Sequence, residues 1–504
     1  MKSNQRARGP ANRRRGWHIL EAPRDPAVDR ANRRRRATEP RRRAWHILEA
    51  PTGEQPAPDS GAEHGPALPD EPSVNFVLDL ALRVGEVQMA SGAGASDVTA
   101  TILALTSALG LPHCEVDVIF TSITVTCHRG TELAPVSALR VVRSRSLDYT
   151  RLSETEMLVQ QIIRGHVSAE EAYAELQKIT SAPHPYPRWV ATLAWGGMAF
   201  FVTLILGGGL DVAGGALVIS ALVDRVGRQL NKYALPFFFQ QVVGGLVATG
   251  LATVIVNTGL VPERFSTLVA AAAITVLLSG LSTVSAVQDA ITGYNVTAAG
   301  RTTETVLMSA GLITGVALAL NLAKAAGFRQ VVPELPAQTA LGLPVVTVAG
   351  AGTAACFALA SYSTLRSLLV AGAAGAIGAG VYGALILASF DTITSSAVAA
   401  TLVGFCGGVL ARRLKVTPLV VAVSGITPLL PGLSTYRGLY ELATEANGMS
   451  TLMRAVGIGL ALAAGVVLGE YLAQPVRTGL GRLERKLAGP RLAGPLRPAR
   501  RRLE

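Results

Sequence analysis

Apolar positions change their spacing once along this chain, near residue 188. Before that point they recur at helical or alternating intervals among polar residues; after it they merge into long uncharged runs. These cover 189–210, 233–261, 265–288, 305–323, 335–365, 367–390, 392–411 and 416–436, with shorter runs at 212–223 and 455–469. About 20 apolar residues cross a bilayer core, so most runs are long enough. The short ones serve if the acids beside them sit at an interface or face the protein interior. The pattern predicts ten transmembrane helices.

Ahead of the runs, residues 71–185 read as a small α/β (α+β) cytosolic domain. Val74, Val77, Leu78, Ala81, Leu82, Val84 and Val87 share one helical face. Ser96-Asp97 can cap a second helix that ends near Leu109, before Gly110 and Pro112. Residues 114–127 are rich in β-branched side chains and partly alternate, as a hairpin would, and 139–145 reads as another strand. Ser153-Glu-Thr-Glu156 and Ser168-Ala-Glu-Glu171 have capping-box spacing, one for each of two closing helices. His113, His128 and Asp97 form no nucleophile–base–orienter signature, so they read as surface polar residues and no catalytic residue is expected.

One string occurs twice. Ile274-Thr-Val-Leu-Leu-Ser-Gly-Leu-Ser-Thr283 returns as Ile426-Thr-Pro-Leu-Leu-Pro-Gly-Leu-Ser-Thr435, eight of ten positions identical at an offset of 152, with Asp289 opposite Glu441. The copies fall in predicted helices 4 and 9. Five crossings separate them, so they enter the membrane from opposite sides. That makes two inverted five-helix repeats, 186–330 and 331–476, an architecture of secondary transporters. Small-residue helix packing is the competing use of such strings.

The string has chemistry suited to a solute. Pro428 and Pro431 remove backbone donors, and Gly280 and Gly432 relax the backbone. A helix broken at membrane depth frees amides and carbonyls, tolerated only where they line protein or a wet cavity. A zwitterion can use both kinds of group, while Ser282, Thr283, Ser434, Thr435 and Tyr436 add hydroxyls. The candidate binding set is therefore Gly280, Ser282, Thr283, Pro431, Gly432, Ser434, Thr435 and Tyr436. The first copy has Val276 and Ser279 in place of the prolines, so it should bend where the second breaks.

Proton coupling has to use carboxylates, because all seven histidines precede residue 185. Asp289 and Glu441 rank first among them. Their alternative role is to cap helices or to pair with Arg301 and Arg437, the interface or gating candidates. No phosphate-binding Gly-x-x-x-x-Gly-Lys-Ser/Thr loop occurs. The four cysteines (114, 127, 356, 406) form no Cys-x-x-Cys. Neither a metal nor a cofactor is expected.

Charge sets the orientation. The net charge is +12, of which residues 1–60 hold +8 and 474–504 hold +7, leaving the middle slightly acidic. Loops on the side of the termini carry Arg225, Arg228, Lys232, Arg301, Arg366, Arg412, Arg413 and Lys415, against Arg264, Lys324, Arg329, Arg437 and Arg454 opposite. Both termini are therefore placed in the cytoplasm of a multi-pass inner-membrane protein. Basic tails there favour anionic lipids; no recognition fold accompanies them, so no nucleic acid is expected. Residues 1–70 read as a disordered Arg-rich tail with its own duplication, Arg13–Pro23 returning as Arg41–Pro51, and 477–504 as a basic cytosolic tail.

Three stretches resemble the threonine/serine exporters of bacteria: Leu80–Ser96 with the helix after it and Leu109-Gly-Leu; Leu277-Leu-Ser-Gly280 through Gln288-Asp-Ala-Ile-Thr-Gly293 to Ala299-Gly-Arg301; and Pro428–Tyr440. The likeness covers roughly 73–475. It departs at Ser279, where the family has Pro-Gly. The resemblance implies a cytoplasmic N-terminal domain and export of L-threonine and L-serine driven by the proton-motive force, with threonine, serine and protons as partners. Homo-oligomerisation is left open. The alternative function is a membrane-embedded enzyme acting on small peptides or amino acids through its soluble domain.

Overall fold

The computed structural model describes residues 70–130, 133–143, 147–259, 266–277, 280–328, 342–414, 416–443 and 448–487. The duplicated Arg-rich segment and residues 488–504 of the basic tail lie outside them.

The N-terminal part is a layer built on its own apolar core. Helix α1 (Glu71–Ala90) starts with a proline in its first turn and buries Val74, Val77, Leu78, Ala81, Leu82 and Val84. Helix α2 (Ala95–Ala108) follows after a short turn. Strands β1 (Cys114–Ile119), β2 (Ser122–Cys127) and β3 (Val136–Val141) form an antiparallel meander in that order, with Cys114 opposite Cys127 and Ser122 opposite Val141. Helices α3 (Tyr149–Ile163) and α4 (Ala169–Ser181) close it. Side chains from both helix pairs and the sheet, among them Leu78, Ile102, Ile123, Val125 and Leu176, make one cluster.

Local sequence signals were not equally reliable here. The Ser168 box is real: Ser168 Oγ accepts from the Glu171 amide and the Glu171 carboxylate accepts from the Ser168 amide. The Ser153 box is not. Helix α3 begins earlier, capped by Asp148 through the Arg151 amide at 3.0 Å, and Ser153 is already inside it. Ser96-Asp97 is no cap either, since α2 begins at Ala95 with Gly94 at the cap position. The third strand lies at Val136–Val141 rather than 139–145.

A helical bundle follows: α5 (Arg188–Ile205), α6 (Leu210–Lys232), α7 (Phe237–Asn257), α8 (Ser266–Thr275), α9 (Gly280–Ile291), α10 (Asn295–Ala325), α11 (Leu343–Ala360), α12 (Leu365–Leu387), α13 (Thr392–Leu414), α14 (Pro418–Ile426), a 3-10 turn (Thr427–Leu429), α15 (Gly432–Ala443) and α16 (Met449–Leu487). Among the described residues, seven helices are each long and apolar enough to cross a membrane, and eight spans result if α14 and α15, bent by 48°, count as one. Helix α6 is long but carries Asp211, Asp224, Arg225, Arg228 and Lys232, and α8 and α9 are each too short alone. The protein is thus a polytopic α-helical membrane protein.

Small residues bring the helices together, as van der Waals packing between membrane helices requires. A Cβ on Gly350 of α11 would lie 2.8 Å from the Gly375 carbonyl of α12, and one on Gly245 of α7 2.8 Å from the Leu312 carbonyl of α10. The N-terminal layer sits on one end of the bundle, here the near end. There Tyr149 N donates to Ser361 O (2.9 Å), Tyr186 Oη to Ser363 O (2.9 Å), and the His184 ring stacks on Tyr362 at 4.2 Å.

Candidate functional site

Both copies of the repeated string interrupt a helix. In the second, Thr427-Pro-Leu429 tightens into a 3-10 turn before Pro431, and helix resumes at Gly432. The first was expected only to bend, yet α8 stops at Thr275, the Leu277 amide closes a turn onto Ile274 O (2.8 Å), and α9 starts at Gly280. Proline is not the only device available. Thr275 Oγ1 bonds back to Ala271 O at 2.8 Å, a contact that bends helices, and the other copy crosses at this point. A Cβ on Gly432 would overlap Thr275 Oγ1. Only glycine lets the two interruptions touch.

Cavities lie on either side of that crossing. The near-end cavity, about 650 Å³, has Met89, Gly92 and Phe120 of the layer on one side and Val276, Leu277, Ser282, Ile426, Thr427 and Leu430 of the two interruptions on the other. The far-end cavity, about 350 Å³, runs from Leu206–Gly208 and Gly342 to Pro428–Ser434. Leu430 lines both. The wall between two spaces that face opposite ends of the bundle is therefore the unwound segment itself.

The structure divides the candidate residues. Ser282 and Arg301 line the near-end cavity, and Pro431, Gly432 and Ser434 line the far-end one. Gly280 opens α9 at the first interruption. Thr283, Thr435 and Tyr436 are not among the lining residues. Thr283 lies near Gly459 of α16, Thr435 Oγ1 bonds back to Pro431 O (2.7 Å), and Tyr436 is buried in the apolar cluster around Leu268–Ile274.

Each candidate carboxylate is paired. Asp289 is wholly buried: Oδ2 lies 3.1 Å from Arg301 Nη1, and Oδ1 accepts from the Ala95 amide at 2.7 Å. Asp289 thus supplies, from 194 residues away, the carboxylate at the start of α2 that Ser96-Asp97 was expected to supply. Arg301 Nη2 donates to Ala93 O (3.0 Å), Ser285 Oγ to Gly92 O (2.9 Å), and Gln288 Nε2 to Asp97 Oδ2 (3.0 Å). Thr297 Oγ1 donates to Val118 O (2.8 Å) and accepts from Phe120 N (3.0 Å). At the far end, Glu441 accepts from Arg437 Nε (2.8 Å) and Thr451 Oγ1 (2.6 Å).

Three contributors escaped sequence reasoning. Thr417 Oγ1 donates to Glu156 Oε2 (2.9 Å) and shares a hydrogen bond with Ser153 Oγ (3.1 Å), fastening α3 to the start of α14. Burial pushes the Glu156 carboxyl up to about 7, partly offset by the Thr417 hydroxyl and reinforced by the charge of Asp97. Only their separation in sequence hid them.

Known proteins share this chain's pattern. Residues 79–323 match the family described as "Putative threonine/serine exporter", and 347–472 the family described as "Threonine/Serine exporter, ThrE". A "Probable threonine/serine exporter" of Mycobacterium tuberculosis is 38% identical over 424 residues, covering 82% of this chain and 79% of that protein. A "Threonine/serine exporter" of Corynebacterium glutamicum is 36% identical over 421 residues, covering 81% and 85%. No solved structure matches. With similarity of that depth running through the layer, both interruptions and the bundle, the chain belongs to the threonine/serine exporter family.

Proposed function

We propose that the protein is a secondary transporter that exports L-threonine and L-serine across the cytoplasmic membrane by alternating access. It is a transporter and not an enzyme. The observation that carries the mechanism is the pair of cavities at opposite ends of the bundle, divided by unwound backbone at Leu430. Substrate enters the near-end cavity, is held at the crossed interruptions by freed backbone groups and Ser282, and leaves through the far-end cavity past Gly432 and Ser434.

In this reading α6 and the α8–α9 pair complete ten crossings, with α5–α10 and α11–α16 as inverted halves. The layer is a cytoplasmic domain of about 71–185, and the Lys/Arg excess at its end of the bundle supports that orientation. The layer forms part of the near-end cavity wall, so it also gates entry. Protons are counter-transported on Asp289 and Glu441. A proton on Asp289 would release Arg301 and the Ala95 amide together, which ties coupling to movement of the layer.

The test is efflux of labelled threonine from proteoliposomes holding the full-length protein, with and without a protonophore under an imposed proton gradient. Efflux that is faster than from protein-free vesicles and slowed by the protonophore supports the reading. Efflux equal to the protein-free control sinks it. Gradient-driven efflux surviving in both Asp289→Asn and Glu441→Gln removes these residues as proton carriers.

A further inference from the structure

Helix α7 carries two adjacent glutamines in an otherwise apolar first half. Gln240 is used locally, its amide donating to Leu235 O at 2.7 Å. Gln241 is different. It is 8% exposed, lines the near-end cavity, and donates from Nε2 to Leu277 O at 3.4 Å, where α8 has unwound. That contact fixes the amide's orientation, because a flipped amide would set two carbonyl oxygens against each other. Oε1 is left buried, and among the described residues no donor reaches it. Folded proteins seldom leave a buried acceptor in that condition without a functional reason.

The position is also rigid. A Cβ on Gly311 of α10 would lie 2.6 Å from Phe238 O and 3.2 Å from Gln241 Cβ, and one on Gly315 would overlap Val242 O. Two helices in such contact leave the backbone under Gln241 no room to drift. On its next turn, a Cβ at Gly244 would lie 3.1 Å from the Leu277 side chain, so α7 is registered on the interruption itself.

Oε1 and Leu277 O are both acceptors, so the matching ligand group is a donor. An amide oxygen is neutral, and a neutral hydroxyl suits it better than an ammonium, whose burial calls for an opposite charge. We infer that Gln241 is a specificity-determining residue whose Oε1 accepts the side-chain hydroxyl of bound serine or threonine. The inference rests on the transport reading above and names the residue that tells a hydroxylated amino acid from its apolar isostere.

The experiment compares L-threonine with L-valine, which puts a methyl where threonine has its hydroxyl. Each is exchanged against internal labelled threonine in proteoliposomes containing the full-length protein. Sites built to bond a hydroxyl reject the analogue lacking it by factors far above the roughly hundredfold of a purely apolar pocket. The threonine-to-valine ratio of kcat/KM is expected to fall at least about tenfold in Gln241→Leu, through a raised KM for threonine. Gln241→Glu, which keeps an acceptor at the same reach, is expected to retain most of the ratio. Should Gln241→Leu fail to assemble, Gln241→Met of similar volume replaces it, with thermal unfolding in detergent as the check on folding. Threonine and valine exchange falling together, with the ratio unchanged, overturns the inference: Gln241 then only braces the helix interruption or meets the ammonium. A wild-type protein that exchanges neither threonine nor serine would instead overturn the transport reading.

Discussion

Asp289 and Glu441 hold the same place in the two copies of the repeat, and each reaches an arginine, but they live differently. Asp289 has no exposed surface and joins three elements: Arg301 of α10, the first amide of α2 and its own helix. Glu441 pairs with Arg437 one turn earlier on the same helix and accepts from Thr451 of α16, and the Glu441 and Arg437 side chains are 18% and 43% exposed. The layer accounts for the contrast. It covers only the near end, so one copy's carboxylate became a fastening between two parts of the molecule while the other remained at an open end. Matching places after a duplicated string therefore set where a charge lies, and the covering around it sets what the charge is worth.

The largest effect expected from breaking this comparison is at Asp289. Asp289→Ala leaves Arg301 buried without its carboxylate and the start of α2 without its anion. Removing one partner of a buried pair costs about 3–5 kcal/mol. Hydrogen exchange at residues 91–98 should rise steeply, and the layer should become sensitive to limited proteolysis. Adding Arg301→Ala should cost less than the two single changes summed, since the stranded charge is then gone. Glu441→Ala should be milder, about 1–2 kcal/mol for a part-exposed i,i+4 pair and the hydrogen bond from Thr451. A melting shift as large as that of Asp289→Ala would erase the distinction.

A pH dependence sharpens the picture further. Glu156 has a carboxyl raised to about 7 at the layer–bundle contact, against 4.5 when free. The docked form therefore binds the extra proton between those values, and docking weakens as pH rises from about 4.5 through 7. Exchange protection of α3 should be greater at pH 5 than at pH 8, and Glu156→Gln should flatten that difference.

Features with local causes were legible in the sequence: the apolar face of α1, the β1–β2 hairpin, the Ser168 box and the two interrupted helices. Those decided across long separations were not. Ser153-x-x-Glu156 has box spacing, but Glu156 is spent on Thr417, 261 residues later. Ser96-Asp97 resembles a cap, yet the anion at α2 comes from α9. The first interruption was underestimated because Val276 and Ser279 lack proline's local signal, whereas the crossing of Gly432 over Thr275 is tertiary. Gln241 carries no periodicity to find. A pair of amides in an apolar run was its only mark, and which of the two turns inward depends on where α10 packs.

The anion from Asp289 at the start of α2 has a consequence for how the protein is made. The chain emerges N-terminus first at about 5–20 residues per second, so Ala95 precedes its partner, 194 residues on, by roughly 10–40 s. During that interval the Ser91–Gly94 turn has no surface to rest on and α2 lacks its terminal anion. The nascent layer must wait in a half-finished state until α9 is in the membrane. Assembly of the bundle is what completes the layer, and a ribosome stalled between the two would hold an exposed, protease-accessible N-terminal third.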